Sequence, residues 1–509
     1  MSILAVTAQI EVKPAGAWVD ITNATVRGSV RISGATTTNS DNPLASGASG
    51  DLTADLDVMV ATGITIASST PIRITYTTAG SAATRTFLGS VRDNQGNLTT
   101  AHLSCVSARE TIATTRGYSV AFYRRRAFTQ TTTTSQEDPT GVGYQAGLGN
   151  WGFWQSGGRP LEQSGSYPDA AFYYSVPQHS LIAPEWSWLA GESFWEQLGL
   201  LAEACGGQVY VARDGVVRYI QPLTYPSGSA LFTFSRSAAT YDQTSSGYFG
   251  PGSSYRFTSG QKADLVVCPY EPRVARPLQE VVSDDTVRQV PAGETIEIIL
   301  EPKWPLKSLQ YASGSATQLD PKAIVARFYD GQSAPQGASG YTHTVTLAAQ
   351  RVTLTVTNAS SRPIQITKIK LSGEPIVAGE PSSVTVGETP PDRPPIKRTV
   401  CDGNPFVQSR SHALFLAELT LALHKDERMI LNLTDCPPDV LRIEGETVNV
   451  TCAEWGLSAA PFLITGLDRD QTNGRNHYEA VSVAGLPADG DFFIVGSTNY
   501  TGLTKQLIW

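Results

Sequence analysis

The sequence predicts a β-rich, multidomain α+β fold. Three observations carry the prediction: a recurring period-two alternation of apolar and polar residues, a low content of charge, and a length beyond one core. The alternation is plainest at Leu52, Ala54, Leu56, Val58 and Val60, which share one face of an extended strand while Thr and Asp take the other. Charged residues make up 17% of the chain against 41% hydrophobic, with Thr, Ser and Gly abundant, a balance that suits pleated, half-buried surfaces. At 509 residues the chain exceeds what one hydrophobic core organises. Roughly three to five domains are therefore expected.

Taken in order, residues 1–126 read as a β-barrel. Val6 to Val12 alternates, Pro14-Ala15-Gly16 turns the chain into Trp18-Val19-Asp20, and the same period returns at Ile72, Ile74 and Tyr76, then at Thr86 to Val91 and Leu103 to Val106. Residues 127–185 lose the period. A Thr run and a Gly-rich stretch with Tyr144, Trp151, Phe153 and Trp154 read as an insertion, either functional or ordered by neighbours. Residues 186–260 read as a helix plus β-hairpin. Ser193 and Glu196 have capping-box spacing, Phe194, Leu198, Leu201 and Cys205 share a face, and Gly206-Gly207 stops the helix. Asp214-Gly215 then predicts a type I′ turn between two short strands. Residues 261–395 are expected to hold second-barrel elements and a β-sandwich-like insertion that ends in the Pro-rich stretch Pro390 to Pro395. Residues 396–485 read as a second helix-plus-sheet unit, with a helix from about Val407 to His424. The tail, 486–509, ends in Leu507-Ile508-Trp509, which makes Ile508 and Trp509 candidates for packing against a partner.

The formal net charge of -8 argues against attraction to phosphate backbones, so sequence-specific nucleic-acid binding is not expected. The N-terminus has no secretory-signal pattern and no stretch reaches membrane-spanning length. Six cysteines stand singly with no C-x-x-C pair, as expected of buried thiols rather than a disulfide framework or zinc site.

Searching for chemistry yields no catalytic residue and no cofactor. Gly147 to Gly152 satisfies G-x-G-x-x-G, but it neither follows a strand nor opens a helix, so it cannot cradle a phosphate. Asp468, Asp470 and Glu479 have the first, third and twelfth spacing of a calcium loop, yet the glycine, Gly474, falls one place late and the flanks read as strands. A polar hairpin is the favoured reading there. Asp284-Asp285 is an adjacent pair whose carboxylates point apart in extended chain, and the six histidines form no H-E-x-x-H pair. No serine lies in a G-x-S-x-G elbow. The remaining candidates are interface residues: Arg124, Arg125 and Arg126, a basic run in an acidic chain, and Trp151 and Trp154.

Three stretches, in this order, resemble the tail hub (minor tail) proteins at the tip of siphophage tails, which are similar to the baseplate hubs of contractile phages and the type VI secretion spike. They are "TRTFLGSVRDNQGNLTTAHLSCVSARETI" from Thr84, "FWEQLGLLAEACGGQVYVARDGVVRYIQP" from Phe194, and "SHALFLAELTLALHK" from Ser411 paired with "VLRIEGETVNVTC" from Val440. The aromatic insertion after Arg126 and the region near 285–395 are larger than in a minimal hub. The resemblance implies a structural, non-enzymatic virion protein made in the host bacterial cytoplasm. It implies a homotrimer whose two barrels per subunit form a six-membered ring joining the sixfold tail tube to a threefold tip. The implied partners are distal tail or tail tube ring proteins, the tape measure protein and other tail-tip or receptor-binding proteins. The competing expectation is a carbohydrate-binding or polysaccharide-degrading tail protein acting on the host surface, which would need two carboxylates at glycosidase separation for hydrolysis.

Overall fold

In a computed structural model the chain is described over residues 6–110, 173–175, 194–220, 232–486, 492–494 and 506–508, apart from internal stretches of which 37–43, 60–64, 79–83, 212–215, 312–318 and 471–474 are the longest. The fold is β-rich with several sheets, and among the described residues two α-helices exceed one turn.

The first β unit contains β1 (Val6–Val12), β2 (Arg31–Ala35), β3 (Asp51–Met59), β4 (Pro71–Thr78), β5 (Thr84–Gly96) and β6 (Thr100–Ser107). They pair antiparallel in the order β2-β3-β6-β5-β4-β1, with the short strand Val19–Asp20 beyond β1. The alternation read from the sequence sets which face is buried. Leu52, Ala54, Leu56 and Val58 of β3 join Ile72 and Ile74 of β4 and Leu103 and Cys105 of β6 in one core, while Asp55 and Asp57 stay outside. The expected barrel differs in one respect: β2 does not return to β1, and its free edge pairs instead with a strand from far along the chain.

The second β unit contains β7 (Thr233–Ser235), β8 (Ser254–Phe257), β9 (Met429–Cys436), β10 (Thr447–Cys452), β11 (Leu457–Asp470) and β12 (Arg475–Ser482). Its order is β7-β10-β11-β12-β9-β8, and Phe232, Phe234, Phe249, Leu431, Val448, Val450, Phe462 and Tyr478 fill its core. Residues 233–257 and 429–482, expected in two separate helix-containing units, thus build one sheet. Period-two patterning identifies strands but not their partners, which are set by non-local packing.

The two helices likewise share one core. Helix α1 (Phe194–Ala204) ends at Gly206, whose φ of +72° suits a residue without Cβ, and α2 (Arg410–His424) starts at Ser409, whose side chain accepts the His412 amide at 3.2 Å. Ala202 and Ala204 of α1 and Phe415, Leu416 and Leu419 of α2 bury together with Val209, Val211 and Val266. The His412 Nε2–H donates to the Ala204 carbonyl across 2.6 Å, tying the end of α1 to the first turn of α2.

The antiparallel pair Leu265–Tyr270 and Ser382–Gly387 leads out of this core into a sandwich and back. In the sandwich, the long strand Ile364–Ala378 pairs with Gln279–Asp284, Arg288–Val290, Leu306–Leu309 and Ile324–Phe328. The facing sheet is Thr295–Leu300, Arg351–Asn358 and Tyr341–Ala348. Val290, Ile298, Leu306, Val352, Leu354, Ile364 and Ile366 form its own core.

Candidate assembly interface

Strand β11 makes the two β units one sheet. Along one edge it pairs with β12 from Phe462 to Asp470. Along the other it pairs first with β10, from Leu457 to Leu463, and then with β2, from Gly466 opposite Ala35 to Asp470 opposite Arg31. A single 14-residue strand is therefore a member of both units, and their relative placement is fixed by backbone hydrogen bonds rather than by a linker.

The connection 437–446 between β9 and β10 locks this joint from within. Val440 enters the core of the first unit. Arg469 of β11, 2% exposed, donates to the carbonyls of Arg442 at 2.6 Å and Asp439 at 3.4 Å, and Asn476 of β12 donates to the Asp439 carbonyl at 2.8 Å. The Asp439 carboxylate accepts the Leu441 amide at 2.7 Å. Tyr210 reaches from the helical core to donate to the Glu444 carbonyl at 2.7 Å. Gly50 is buried where β3 meets that core, and any Cβ there would collide with Tyr210 and the Ala35 carbonyl. One loop thus touches both β units and, through Tyr210, the core that holds the helices.

The calcium-spaced acids belong to the outer face of the same joint. Asp468 accepts Nε and Nη2 of Arg31 and the Ser33 hydroxyl, Asp470 lies between Arg31 and Arg475 in register, and Glu479 lies opposite Gly466 with Arg256 at 3.5 Å. Among the described residues no group of three or more His, Cys, Asp or Glu side chains is placed to hold a metal ion. Asp284 and Asp285 take separate partners. Thr286 and Arg288 hold the Asp284 carboxyl down at about 2, whereas Asp285 pairs with Lys368 at 2.8 Å.

Among the described histidines, His343 and His424 are buried and His412 is partly buried between the two helices. His343 accepts the Leu319 amide at 2.9 Å; His412 and His424 lie in the helical core, where burial lowers both and the cations of Arg398 and Arg428 help take His424 to about 3. The five described cysteines, Cys105, Cys268, Cys401, Cys436 and Cys452, are buried, each far from the others in sequence. Arg124, Arg125, Arg126, Trp151, Trp154, Trp509 and the glycine motif 147–152 lie outside the described residues. Ile508 ends a short strand, Gln506–Ile508, parallel to Phe492–Ile494.

Sequence reading missed the edge strand β8. Its four residues sit in a stretch that reads as polar loop, and the alternation in Ser-Tyr-Arg-Phe is too short to stand out. Tyr255 makes edge contacts with Phe257 at 5.9 Å and with Trp455 at 5.6 Å, and Trp455 stacks on buried Phe249 at 5.5 Å. This aromatic row lies at the rim of the second β unit.

No family model matches the chain, and no curated protein matches it. Similar solved structures include tail proteins. A 43 kDa tail protein of prophage MuSo2 from Shewanella oneidensis is 10% identical, with 94% of this chain and 99% of that chain covered and a TM-score of 0.44. A tail protein from Neisseria meningitidis MC58 is 8% identical, with coverage of 94% and 97% and a TM-score of 0.47. A prophage tail protein from Listeria monocytogenes EGD-e is 8% identical, with coverage of 93% and 94% and a TM-score of 0.42.

Proposed function

We propose that this chain is a structural component of a phage tail tip, a trimeric collar that joins the sixfold tail tube or distal tail ring to a threefold tip and works by binding rather than turnover. The observation that carries the reading is the fusion of two β units side by side through β11. Three copies of such a chain present six β units around one axis, which matches a sixfold ring while keeping threefold symmetry. The rigid joint supports the same reading, because a symmetry adaptor must hold its two units at a fixed angle. The ordered resemblance of three sequence stretches to tail hub proteins points the same way. In this reading the neighbours are the tube or distal ring on one side and tip or receptor-binding proteins on the other, and the sandwich is packed on a core of its own.

Native mass spectrometry of the purified chain tests the proposal. A trimer is expected at micromolar concentration, and electron microscopy of the particle is expected to place three copies at the distal tail. A chain that stays monomeric at all concentrations, or a particle with six copies in a uniform ring, overturns it.

A further inference from the structure

We infer that the outer edge of β8 is a docking edge for a second copy of this chain, which adds the free part of its own β1 there, head to tail. The inference rests on the collar reading and names the contact that would close the collar.

Tyr255 stands opposite Leu431 and Phe257 opposite Met429 across the β8–β9 ladder. Directly opposed residues of an antiparallel pair point to the same face. Leu431 is fully buried in the core of the second β unit and Met429 packs against it, so Tyr255 and Phe257 point to the core side. They are nevertheless 48% and 49% exposed. Among the described residues nothing pairs with the far edge of β8, so its inward aromatics and its backbone edge are uncovered together. An aromatic strand edge left open invites strand addition, which proteins otherwise block with charge, proline or a covering element.

The same sheet ends elsewhere in a second open edge. Strand β1 pairs with β4 along its whole length on one side, but on the other side only Glu11 and Val12 meet a strand, Val19–Asp20. The edge of Val6 to Gln9 is uncovered among the described residues. The two ends also differ in charge. Arg256, exposed and 3.5 Å from Glu479, lies on the polar face of β8, and the exposed acid Asp20, opposite Glu11, stands where the free part of β1 ends. Joining unlike ends brings Arg256 of one copy toward Asp20 of the next, whereas joining β8 to β8 brings two Arg256 side chains together. Unlike ends joined in succession make a heterologous contact, which is the kind that closes into a ring.

Cysteine pairing tests this on the full-length protein. Arg256→Cys and Thr7→Cys are made singly and together; the five described native cysteines are buried, and the unsubstituted chain is the background control. Mixed single variants are expected to give a disulfide-linked pair on mild oxidation, and the double variant covalent rings. The pair Tyr255→Lys and Phe257→Lys is expected to weaken self-association roughly tenfold or more, equivalent to about 1.4 kcal/mol, measured at temperatures where the melting curve of the variant shows the monomer still folded. Cross-linking of Arg256→Cys with itself alone would show a β8-to-β8 contact and overturn the inference. So would a trimer that neither cross-links nor responds to the lysines, although that result leaves the collar reading standing. An unsubstituted chain that never associates defeats both.

Discussion

At Gly50 the absence of a side chain is a packing requirement. A Cβ at this position meets Tyr210 and, at 2.6 Å, the Ala35 carbonyl, neither of which can retreat without shifting a strand. Gly50→Ala is expected to cost roughly 1–3 kcal/mol in urea unfolding, the range for overpacking a close contact. The buried histidines set an acid limit by a different route. The folded-state value of His424 is depressed to about 3, against about 6.5 for an unfolded imidazole. Both states are neutral above that ordinary value, so stability is full there. As the pH falls below it the unfolded chain takes up the proton first, and stability drops by about 1.4 kcal/mol per pH unit until the folded value is reached. His412, lowered by burial, adds in the same direction over the same window, whereas Asp284, whose depressed carboxyl is protonated first in the unfolded chain, adds only below about pH 4. Urea midpoints measured at pH 7.5 and pH 5.5 should differ accordingly, and His424→Gln should shrink the difference; a flat profile in the unsubstituted chain would contradict the buried, neutral assignment.

Among the elements, α2 shows how a local cap serves a distant contact. Ser409 satisfies the His412 amide, and His412 in turn holds the end of α1 through the Ala204 carbonyl. Ser409→Ala removes an acceptor from a helix N-terminus and is expected to cost about 1 kcal/mol. Hydrogen exchange should show the loss at the first turn of α2 and also at the end of α1, since the two are coupled through His412. Protection lost only in α2 would mean that the interhelical bond bears no load. Strand β11 is the corresponding element in the sheet: its first half belongs to one β unit, its second half to both.

For the whole molecule, the distribution of cores predicts how it comes apart. The two β units share β11 and the 437–446 connection, so neither can unfold without breaking the other's ladder. The sandwich has its own core and connects through the pair Leu265–Tyr270 and Ser382–Gly387. Calorimetry is therefore expected to resolve the sandwich from a single combined transition of the two β units. Separate transitions for the two β units would contradict the shared-strand joint. The same arrangement suits a collar, because load applied to one unit passes through backbone hydrogen bonds to the next.

The sequence by itself determined the strongly alternating strands, the two helices, the stop at Gly206 and the buried thiols, because each depends on a period, a cap or a spacing within a few residues, whereas Arg31–Ala35, Thr233–Ser235, Ser254–Phe257 and Met429–Cys436 carry no such local signal. Leu52 to Val58 could be assigned to an inner face from their alternation alone. Only the tertiary structure decided that β2 pairs with β11, where Ser33 and Asp468 meet across 435 positions of chain. Only it showed that 233–257 and 429–482 make one unit, and that Tyr255 and Phe257 face a core yet remain open. Pairing between distant strands is decided by which edges and faces are left uncovered once all the other elements have packed, and no local pattern of residues encodes that.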